Sequence, residues 1–319
     1  MLRAFFISLS KANWAQRAIT RLPVGWRVAS RFIAGETPET AIQVVRELNL
    51  KGINATLDYL GENTNSSIDA SQSTDEVLEI LGLIKVSGVQ ANVSIKLSQL
   101  GLTIDKDFFH QNLTKILTCA SQSGNFIRID MEDSSLTDKT IQTLIWAQAQ
   151  GFTNTGIVLQ AYLYRTEKDL VDLTSKGISI RLCKGAYNEL AEVAYPKMSD
   201  VNANYDHIAR LLLQAASLPG SSRLSEDGRV PPLAAIASHD PRRIAMARRL
   251  IAELNLPQQA VEFQMLYGIR RDLQNELASA GYSVRVYVPY GTHWYPYFMR
   301  RLAERPANVW FFVSNLFKK

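Results

Sequence analysis

From Gly52 onward, short runs rich in β-branched residues alternate with longer stretches in which apolar residues recur at helical spacing. This alternation is typical of parallel β-α units, in which a helix returns the chain to the edge where the next strand begins. Eight runs have the length and composition of strands: GINATLDYL, VQANVSIKL, NFIRIDM, TGIVLQAY, GISIRLC, PLAAIAS, AVEFQML and YSVRVYV. Eight is the strand count of a closed barrel, so the pattern predicts a (βα)8 TIM-type barrel of the α/β class.

Helix and loop signals between these runs agree with a barrel. STDEVLEILGLIKVSG predicts a helix that begins at a capping box of Ser73 and Glu76, and DKDFFHQNLTKILTCASQSG predicts one that stops at Gly124. Residues 217–232, SLPGSSRLSEDGRVPP, predict a long surface loop rather than a domain boundary. No glycine-rich phosphate turn follows any predicted strand, which argues against Rossmann and P-loop folds.

Composition is compatible with a single large barrel. The chain has 319 residues, of which 46% are hydrophobic and 20% are charged, as is usual for a globular enzyme. Its two cysteines, Cys119 and Cys183, predict a reducing compartment without a disulfide framework. No stretch of the sequence reaches the ~20 apolar residues that a membrane-spanning helix needs.

Positive charge is concentrated before the first acidic residue, Glu36. The net charge is +5, and this first segment holds six Lys or Arg residues, so no positive excess remains for the rest of the chain. Together with its aromatic residues, the segment predicts amphipathic helices that contact an anionic membrane, whereas an extended nucleic-acid surface is not expected. Charges interrupt every apolar run and no cleavage site stands out, so we expect retained helices rather than a transit peptide. We therefore predict a basic helical segment, residues 1–35, and a barrel domain, residues 36–319.

Polar residues stand at the ends of nearly all the predicted strands. The carboxyl ends of barrel strands converge on one mouth, so we expect these side chains to form a ring that binds an anionic substrate and a polar cofactor. The ring consists of Asp58, Glu62, Lys96, Asp130, Glu132, Gln160, Arg181, Lys184, His239, Gln264 and Tyr287. Scattered histidines argue against zinc, and the absence of GxSxG argues against a serine hydrolase. A Schiff-base lyase or aldolase built on Lys96 or Lys184 remains an alternative.

Two adjacent arginines, Arg300 and Arg301, follow three aromatic residues in YPYFMRRLAE. Arginine offers a planar fork that matches a carboxylate, so this pair could join the strand-end cations around an anion. Neighbouring residues of a helix project about 100° apart, so both can serve one site only if the helix lies across the barrel mouth. Arg300 and Glu304 also have the spacing of an ordinary surface ion pair.

The motifs VSIKLS, IDME, VLQAY, RLCKGAY, SHD, EFQMLYG and RVYVPYGTHWYPYFMRRLAE, in this order, resemble those of the proline dehydrogenases. The resemblance runs from the first strand to Glu304. It implies a distorted (βα)8 barrel in which FAD lies over the strand ends, N-terminal helices precede the barrel and the last helix crosses its mouth. Two departures stand out: Asn188 replaces a tryptophan common after KGAY, and SHD replaces a more usual pattern around His239.

The resemblance also implies roles for individual residues. Asp130 and Arg181 match catalytic positions, and Arg181 is expected to stabilise negative charge on the reduced flavin. The substrate positions are Lys96, Arg300 and Arg301 for the carboxylate, Leu266, Tyr287 and Tyr297 for the ring, and Glu62 as a gate partner of Arg301. The cofactor positions are Met131, Gln160, Arg181, Lys184, Gly185, Ala186, Lys197, Ser238, His239, Gln264 and Glu304.

The implied reaction is oxidation of L-proline to Δ1-pyrroline-5-carboxylate by hydride transfer to FAD. Electrons would then pass to a membrane quinone, which would give a peripheral membrane contact by the basic N-terminus a purpose. The expected location is the cytoplasmic face of the cell membrane, or the mitochondrion if the N-terminus belongs to an imported precursor. Tyr297 leaves little room for a substrate hydroxyl, so proline is expected to be favoured over hydroxyproline.

Overall fold

The computed structural model describes residues 9, 12–20, 23–61, 64 and 66–304, except for the side chains of residues 13, 18, 23, 24 and 304. Eight parallel strands form a closed barrel in the order β1 to β8. The strands are β1 Asn54–Tyr59, β2 Ala91–Ile95, β3 Ile127–Ile129, β4 Thr155–Gln160, β5 Ser179–Cys183, β6 Ala234–Ala237, β7 Val261–Leu266 and β8 Ser283–Tyr290. Seven of them lie within the runs predicted from the sequence, and β8 extends its run by two residues, to Tyr290. Strand β8 closes the barrel by pairing with β1. The predicted (βα)8 barrel is confirmed.

Helices connect the strands and surround the barrel. The described α-helices are α1 Asn13–Thr20, α2 Pro23–Ala29, α3 Pro38–Asn49, α4 Ser67–Ser87, α5 Lys106–Gln122, α6 Thr137–Ala149, α7 Thr166–Thr174, α8 Met198–Ser217, α9 Pro241–Glu253, α10 Arg271–Ser279 and α11 Trp294–Glu304. The stop predicted at Gly124 is confirmed, because α5 ends just before it and Gly124 adopts a φ of 61°.

The capping box predicted at Ser73 is wrong. Helix α4 begins earlier, where the side chain of Ser66 accepts a hydrogen bond from the backbone N–H of Asp69. Ser73 lies inside the helix and is buried. Because Ser66 supplies the same cap chemistry two turns earlier, the helix gains a longer apolar face against the barrel, and the Ser73 signal is not used.

The strands present apolar side chains outward and polar side chains inward. The apolar residues, such as Leu57, Val93 and Ile129, join the helices in one buried cluster between the barrel and its surrounding layer. Inside the barrel, Thr56 donates a hydrogen bond to the side chain of Asn92 at 2.6 Å. The barrel interior is therefore polar, although the protein core around it is conventional.

The predicted loop at residues 217–232 is present, since no helix or strand lies between the end of α8 and β6. Part of the loop is buried, because it closes the amino-terminal end of the barrel. Its carbonyl oxygens at Gly228, Arg229 and Pro232 accept hydrogen bonds from Arg285 NH2 at 2.6 Å, Asn92 Nδ2 at 3.0 Å and Ser179 Oγ at 2.5 Å. A Cβ at Gly228 would collide with Asn54, so this close approach requires glycine.

The N-terminal helices pack on the last helix, α11. A second apolar cluster joins Val28, Phe32 and Ile33 to residues of α11. The rings of Trp26 and Trp294 contact each other in a tilted arrangement, with 5.6 Å between their centroids. The Tyr295 hydroxyl donates a hydrogen bond to the Leu9 carbonyl at 2.9 Å. Much of the apolar surface described in this segment is therefore covered by the protein itself. The division at residue 35 stays a prediction.

None of the helices in the described part of the chain combines the length and apolar character required to cross a bilayer. Contact of the N-terminal segment with a membrane surface stays a prediction.

Candidate active site

One cavity of about 650 Å³ opens at the carboxyl ends of the barrel strands. Every described side chain predicted for the substrate, the cofactor or the chemistry lines this cavity, except those of Glu132 and Lys197. The predicted residues that line it are Asp58, Lys96, Asp130, Met131, Gln160, Arg181, Lys184, Gly185, Ala186, Ser238, His239, Gln264, Leu266, Tyr287, Tyr297, Arg300 and Arg301. The described strand-end residues, apart from Glu132, are therefore brought together in space.

Four predicted residues are not part of this grouping. Glu132 instead accepts hydrogen bonds from the backbone N–H of Ser98 at 3.1 Å and from the Ser98 hydroxyl at 2.5 Å. Glu62 and the side chain of Glu304 lie outside the described residues, so the gate between Glu62 and Arg301 stays a prediction. Lys197 is exposed where α8 begins, and it is not part of the cavity wall. Its assignment to the cofactor also stays a prediction.

Lys96 is held between two carboxylates at the mouth. Its Nζ lies 2.9 Å from Oδ1 of Asp58 and 3.8 Å from Oδ2 of Asp130. All three side chains are nearly buried, so their attraction is screened by water much less than that of a surface pair. The sequence places Asp58 at a strand end without assigning it a role. Its 2.9 Å contact with Lys96 indicates that it holds the lysine in position.

Asp130 organises the floor of the cavity. Its Oδ1 accepts hydrogen bonds from Arg181 NH1 at 2.9 Å and from Ser94 Oγ at 3.0 Å. Its Oδ2 accepts one from the Tyr287 hydroxyl at 2.7 Å. Burial and the neighbouring Asp130 carboxylate hold the pKa of Tyr287 well above its ordinary value, so the phenol keeps its proton and acts as a donor.

Arg181 is fixed from two directions. Its Nε donates a hydrogen bond to Gln264 Oε1 at 2.5 Å, while NH1 is bonded to Asp130. The guanidinium also lies 5.2 Å from the centre of the Tyr287 ring, within cation–π range. A planar cation held at two of its nitrogens has little rotational freedom, which suits a group that stabilises charge at a set position.

Arg300 and Arg301 both face the same cavity from α11. Arg301 is 8% exposed, and its guanidinium lies 5.1 Å from the centre of the Tyr297 ring, one helical turn earlier. Since α11 crosses the mouth, the 100° between neighbouring side chains does not separate them. Together with Lys96 and Arg181, these two arginines make their side of the cavity a binding site for an anion.

The opposite part of the cavity has features of a cofactor-binding site. This part, called the cradle below, is lined by Gln160, Lys184, Gly185 and His239. Gln160 Nε2 donates to the carbonyls of Met131 at 3.3 Å and Glu132 at 3.2 Å. Gln160 Oε1 is consequently turned away from these carbonyls, and it is buried with no hydrogen-bond partner among the described residues. A buried acceptor of this kind is expected to meet a donor on a bound molecule.

Gly185 lies in the same cradle with a φ of 109°. A side chain at this position would collide with the ring of Tyr162, which packs behind the turn. Glycine is therefore required here by its backbone conformation and by the packing of Tyr162.

Lys184 and His239 have defined partners in the cradle. Lys184 Nζ lies 2.9 Å from Oδ2 of Asp240, which also caps α9. His239 Nε2 accepts a hydrogen bond from the backbone N–H of Leu266 at 2.9 Å, so its proton is carried on Nδ1.

Several cavity residues were not identified in the sequence. Tyr187 and Asp240 belong to the quoted motifs KGAY and SHD, so a signal existed for both. Cys183 also lies in a quoted motif, RLCKGAY, whereas Arg270 carries no comparable signal. Burial raises the pKa of the Cys183 thiol to about 11, so it is protonated at neutral pH and is not a nucleophile. Within the described ranges, no group of three His, Cys, Asp or Glu side chains could hold a metal ion.

A closed parallel barrel with cations and a hydrogen-bonded carboxylate at its carboxyl end defines an α/β-barrel enzyme site. The family to which the chain belongs is identified from its sequence. A family model described as proline dehydrogenase matches residues 41–313. The chain belongs to the proline dehydrogenase family and is an oxidoreductase.

Individual relatives are similar over nearly the whole chain. Proline dehydrogenase 2 of Bacillus subtilis (strain 168) is 40% identical over 318 residues, which cover 99% of both chains. Proline dehydrogenase of Deinococcus radiodurans is 40% identical over 297 residues, covering 92% of this chain and 91% of that one.

A solved structure is similar as well. The crystal structure of proline utilization A (PutA) from Bdellovibrio bacteriovorus inactivated by N-propargylglycine superimposes with a TM-score of 0.77 and 27% identity. The alignment covers 88% of this chain and 33% of that chain, so this chain spans about a third of the PutA protein.

Proposed function

We propose that this chain oxidises L-proline to Δ1-pyrroline-5-carboxylate, the first step of proline degradation to glutamate. FAD is the proposed cofactor and a membrane quinone the proposed electron acceptor. The names of the full-length relatives support proline as the substrate. The observation that carries the proposal is that Arg300, Arg301 and Lys96 line one cavity.

The cations suit the carboxylate of an amino acid. Arg300 and Arg301 can each present a two-pronged fork, and Lys96 adds a point charge from a different element, β2. Because Lys96 is held by Asp58 at 2.9 Å, its position does not depend on the substrate. The carboxylate is therefore gripped at one end, and this fixes the direction of the rest of the substrate.

The wall for the substrate ring is apolar and aromatic. Leu266, Tyr287 and Tyr297 line the cavity beside the cations. Tyr297 is 6% exposed and lies under Arg301, so its ring has little freedom to move aside. Such a wall excludes water from the substrate and leaves little space for a hydroxyl on the proline ring.

The cradle fits FAD. Gln160 offers a buried acceptor, Lys184 a cation, and the turn at Gly185 an exposed stretch of backbone. The residues proposed to hold FAD are Met131, Gln160, Arg181, Lys184, Gly185, Ala186, Ser238, His239 and Gln264, with Lys197 and Glu304 as further candidates. FAD, when bound, supplies a flavin ring that accepts a hydride from the substrate. Arg181, oriented by Asp130, stabilises negative charge that develops there.

A lyase that uses Lys96 as a Schiff base is less well supported. The Lys96 ammonium is hydrogen-bonded to Asp58 Oδ1 at 2.9 Å and Oδ2 at 3.1 Å, an arrangement that favours the charged form. A Schiff-base lysine needs the neutral amine as its nucleophile. For the lyase, the expected result is colourless protein that borohydride traps covalently with a carbonyl substrate, because only a carbonyl forms a Schiff base with lysine.

The visible spectrum of the purified protein tests the main proposal. We expect flavin bands that bleach anaerobically when L-proline is added, and colourless protein would contradict the proposal. Arg301→Met should raise the KM for proline at least a hundredfold, since charged hydrogen bonds contribute about 1.5–3 kcal/mol each. Arg249→Met, at an exposed position of α9, is the matched control and should leave the KM unchanged.

Membrane contact needs a separate test, because complete deletion of the N-terminal segment would uncover α11. Arg17 and Arg27 are exposed on α1 and α2. Replacing both by glutamine should weaken binding to vesicles that contain anionic lipid while dye-linked turnover with proline stays at the original rate. Unchanged vesicle binding would contradict this part of the proposal.

A further inference from the structure

A buried ion pair lies inside the barrel beneath the cavity. Glu262 of β7 and Arg285 of β8 are 0% and 1% exposed, and Arg285 Nε lies 2.7 Å from Glu262 Oε1. Removing two charges from water is costly, and apolar residues of similar volume often serve stability as well or better. Stability alone is therefore a poor explanation for the pair, and its contacts suggest another purpose.

The pair is linked to Arg181 through one side chain. Gln264 Nε2 donates to Glu262 Oε1 at 2.6 Å, and Gln264 Oε1 accepts from Arg181 Nε at 2.5 Å. The terminal atoms of an amide differ, since its nitrogen only donates and its oxygen only accepts. A carboxylate at Glu262 accepts only, so it directs the amide nitrogen toward itself and the amide oxygen toward Arg181.

Arg285 anchors this arrangement to the barrel wall. Its NH1 donates to the carbonyl of Ala55 at 2.7 Å, and its NH2 donates to the carbonyl of Gly228 at 2.6 Å. All three donor nitrogens of Arg285 are thus engaged with fixed partners. Glu262 is held in turn, because its Oε1 receives hydrogen bonds from both Arg285 and Gln264.

We propose that Glu262 is a positioning residue for the reaction: it sets the direction of the Gln264 amide and thereby holds the Arg181 guanidinium against Asp130. The inference rests on the proposed function, which assigns Arg181 to the charge that develops on the cofactor. Without an acceptor at residue 262, the amide can turn over and present its nitrogen to Arg181 Nε. Two donors would then face each other, and Arg181 would be displaced.

The decisive variant removes the ion pair as a unit. Glu262→Leu combined with Arg285→Leu leaves no buried charge unpaired, so the barrel should still fold. We expect flavin reduction at saturating proline to slow at least tenfold, because a misplaced stabilising donor loses most of its effect. The KM for proline should change less than about threefold, since the residues that grip the carboxylate stay in place.

Two further variants distinguish the positioning role of Glu262 from an effect of its charge and from a general loss of stability in the barrel. Glu262→Gln keeps an acceptor oxygen for Gln264 and Arg285, so it should retain a rate within about threefold of the original. Arg128→Met is the matched control: Arg128 is 1% exposed inside the barrel and donates to the carbonyls of Ile157 and Ser179. It should lower thermal stability without slowing flavin reduction.

Coupling supplies the strictest test. Gln264→Leu keeps the ion pair and breaks the link to Arg181, so it should slow reduction on its own. Added to Gln264→Leu, the paired change at residues 262 and 285 should produce no further loss, whereas independent effects would multiply. FAD content and dissociation constant, measured by fluorescence, show whether a slow rate reflects loss of cofactor.

The outcomes are distinct. An original rate in the paired variant or in Gln264→Leu, or an equal loss in Arg128→Met, would overturn the positioning role. If the flavin bands of the unaltered protein did not bleach when proline was added, the proposed function would be overturned instead. If the paired variant does not fold, an original rate in Gln264→Leu, or a tenfold loss in Glu262→Gln, would still overturn the positioning role, since both variants leave Arg285 in place.

Discussion

The Tyr287 hydroxyl donates a hydrogen bond to Oδ2 of Asp130 at 2.7 Å and closes one side of the cavity floor. Tyr287→Phe removes this donor and leaves the ring that faces Arg181. We expect kcat for proline to fall about tenfold, because Asp130 loses one of the bonds that orient it, while the KM changes less. Steady-state kinetics with a dye acceptor test this, and an unchanged kcat would show that Arg181 and Ser94 suffice to orient Asp130.

Tyr297 is expected to control selectivity between proline and hydroxyproline. Tyr297→Ser opens space beside the substrate ring, so the ratio of kcat/KM for hydroxyproline to that for proline should rise at least tenfold. Arg301 lies over this ring, so some loss of proline affinity should accompany the change. Tyr297→Phe keeps the ring and is the control. A ratio unaltered by the serine variant would remove Tyr297 from the specificity wall.

The N-terminal helices should affect substrate binding through α11. Trp26→Ala removes the aromatic contact with Trp294, and such contacts contribute about 0.5–1.5 kcal/mol beyond burial. We expect a two- to tenfold rise in the KM for proline, because Arg300 and Arg301 are carried by the helix that loses support. Trp14→Ala, at a side chain that is 72% exposed, is the control of the same residue type and should leave the KM unchanged.

Tyr290 predicts a specific alkaline instability. Burial holds its pKa well above the ordinary value near 10, so the folded chain keeps a proton that the unfolded chain releases. This contribution to stability is intact below about pH 10 and decreases above it by about 1.4 kcal/mol per pH unit. Tyr290→Phe should reduce that slope in urea unfolding measured from pH 9 to pH 11.

At neutral pH the same variant should be nearly neutral for stability. The Tyr290 hydroxyl is buried and has no hydrogen-bond partner among the described residues, so its removal relieves an unsatisfied group. We expect the free energy of unfolding at pH 7 to be equal or higher by up to about 1 kcal/mol. A marked loss of stability at pH 7 would show that the hydroxyl has an important partner.

The strands and most of the cavity wall could be predicted from the sequence, because both follow from periodicity along the chain. Successive strand residues alternate between faces, and parallel strands of a barrel end at one edge, so Lys96, Asp130 and Arg181 had to approach one another. The position of α11 across the mouth came from the family resemblance. No periodic pattern places a helix over a barrel.

Other features depend on contacts between distant parts of the chain and could not be predicted. Gln264 was expected to contact the cofactor, but its hydrogen bonds to Arg181 and Glu262 require the register of β5 against β7 through the barrel interior. The aromatic residues before Glu36 suggested a membrane surface, because their partners on α11 lie far away in the sequence. Gly185 was expected to contact the cofactor, whereas the packing of Tyr162 behind it carried no signal in the sequence.

In (βα)8 barrels the catalytic residues commonly lie at the carboxyl-terminal rim, and the residues at the amino-terminal rim contribute mainly to stability. Here a continuous polar column joins the two rims, from the carbonyl of Gly228 through Arg285, Glu262, Gln264 and Arg181 to Asp130. Substitutions in the loop at residues 217–232, which closes the amino-terminal end of the barrel, are therefore expected to affect turnover at the opposite end. A Gly228→Ala change, chosen only to stiffen that loop, would place a methyl group against Asn54, and we expect it to slow turnover.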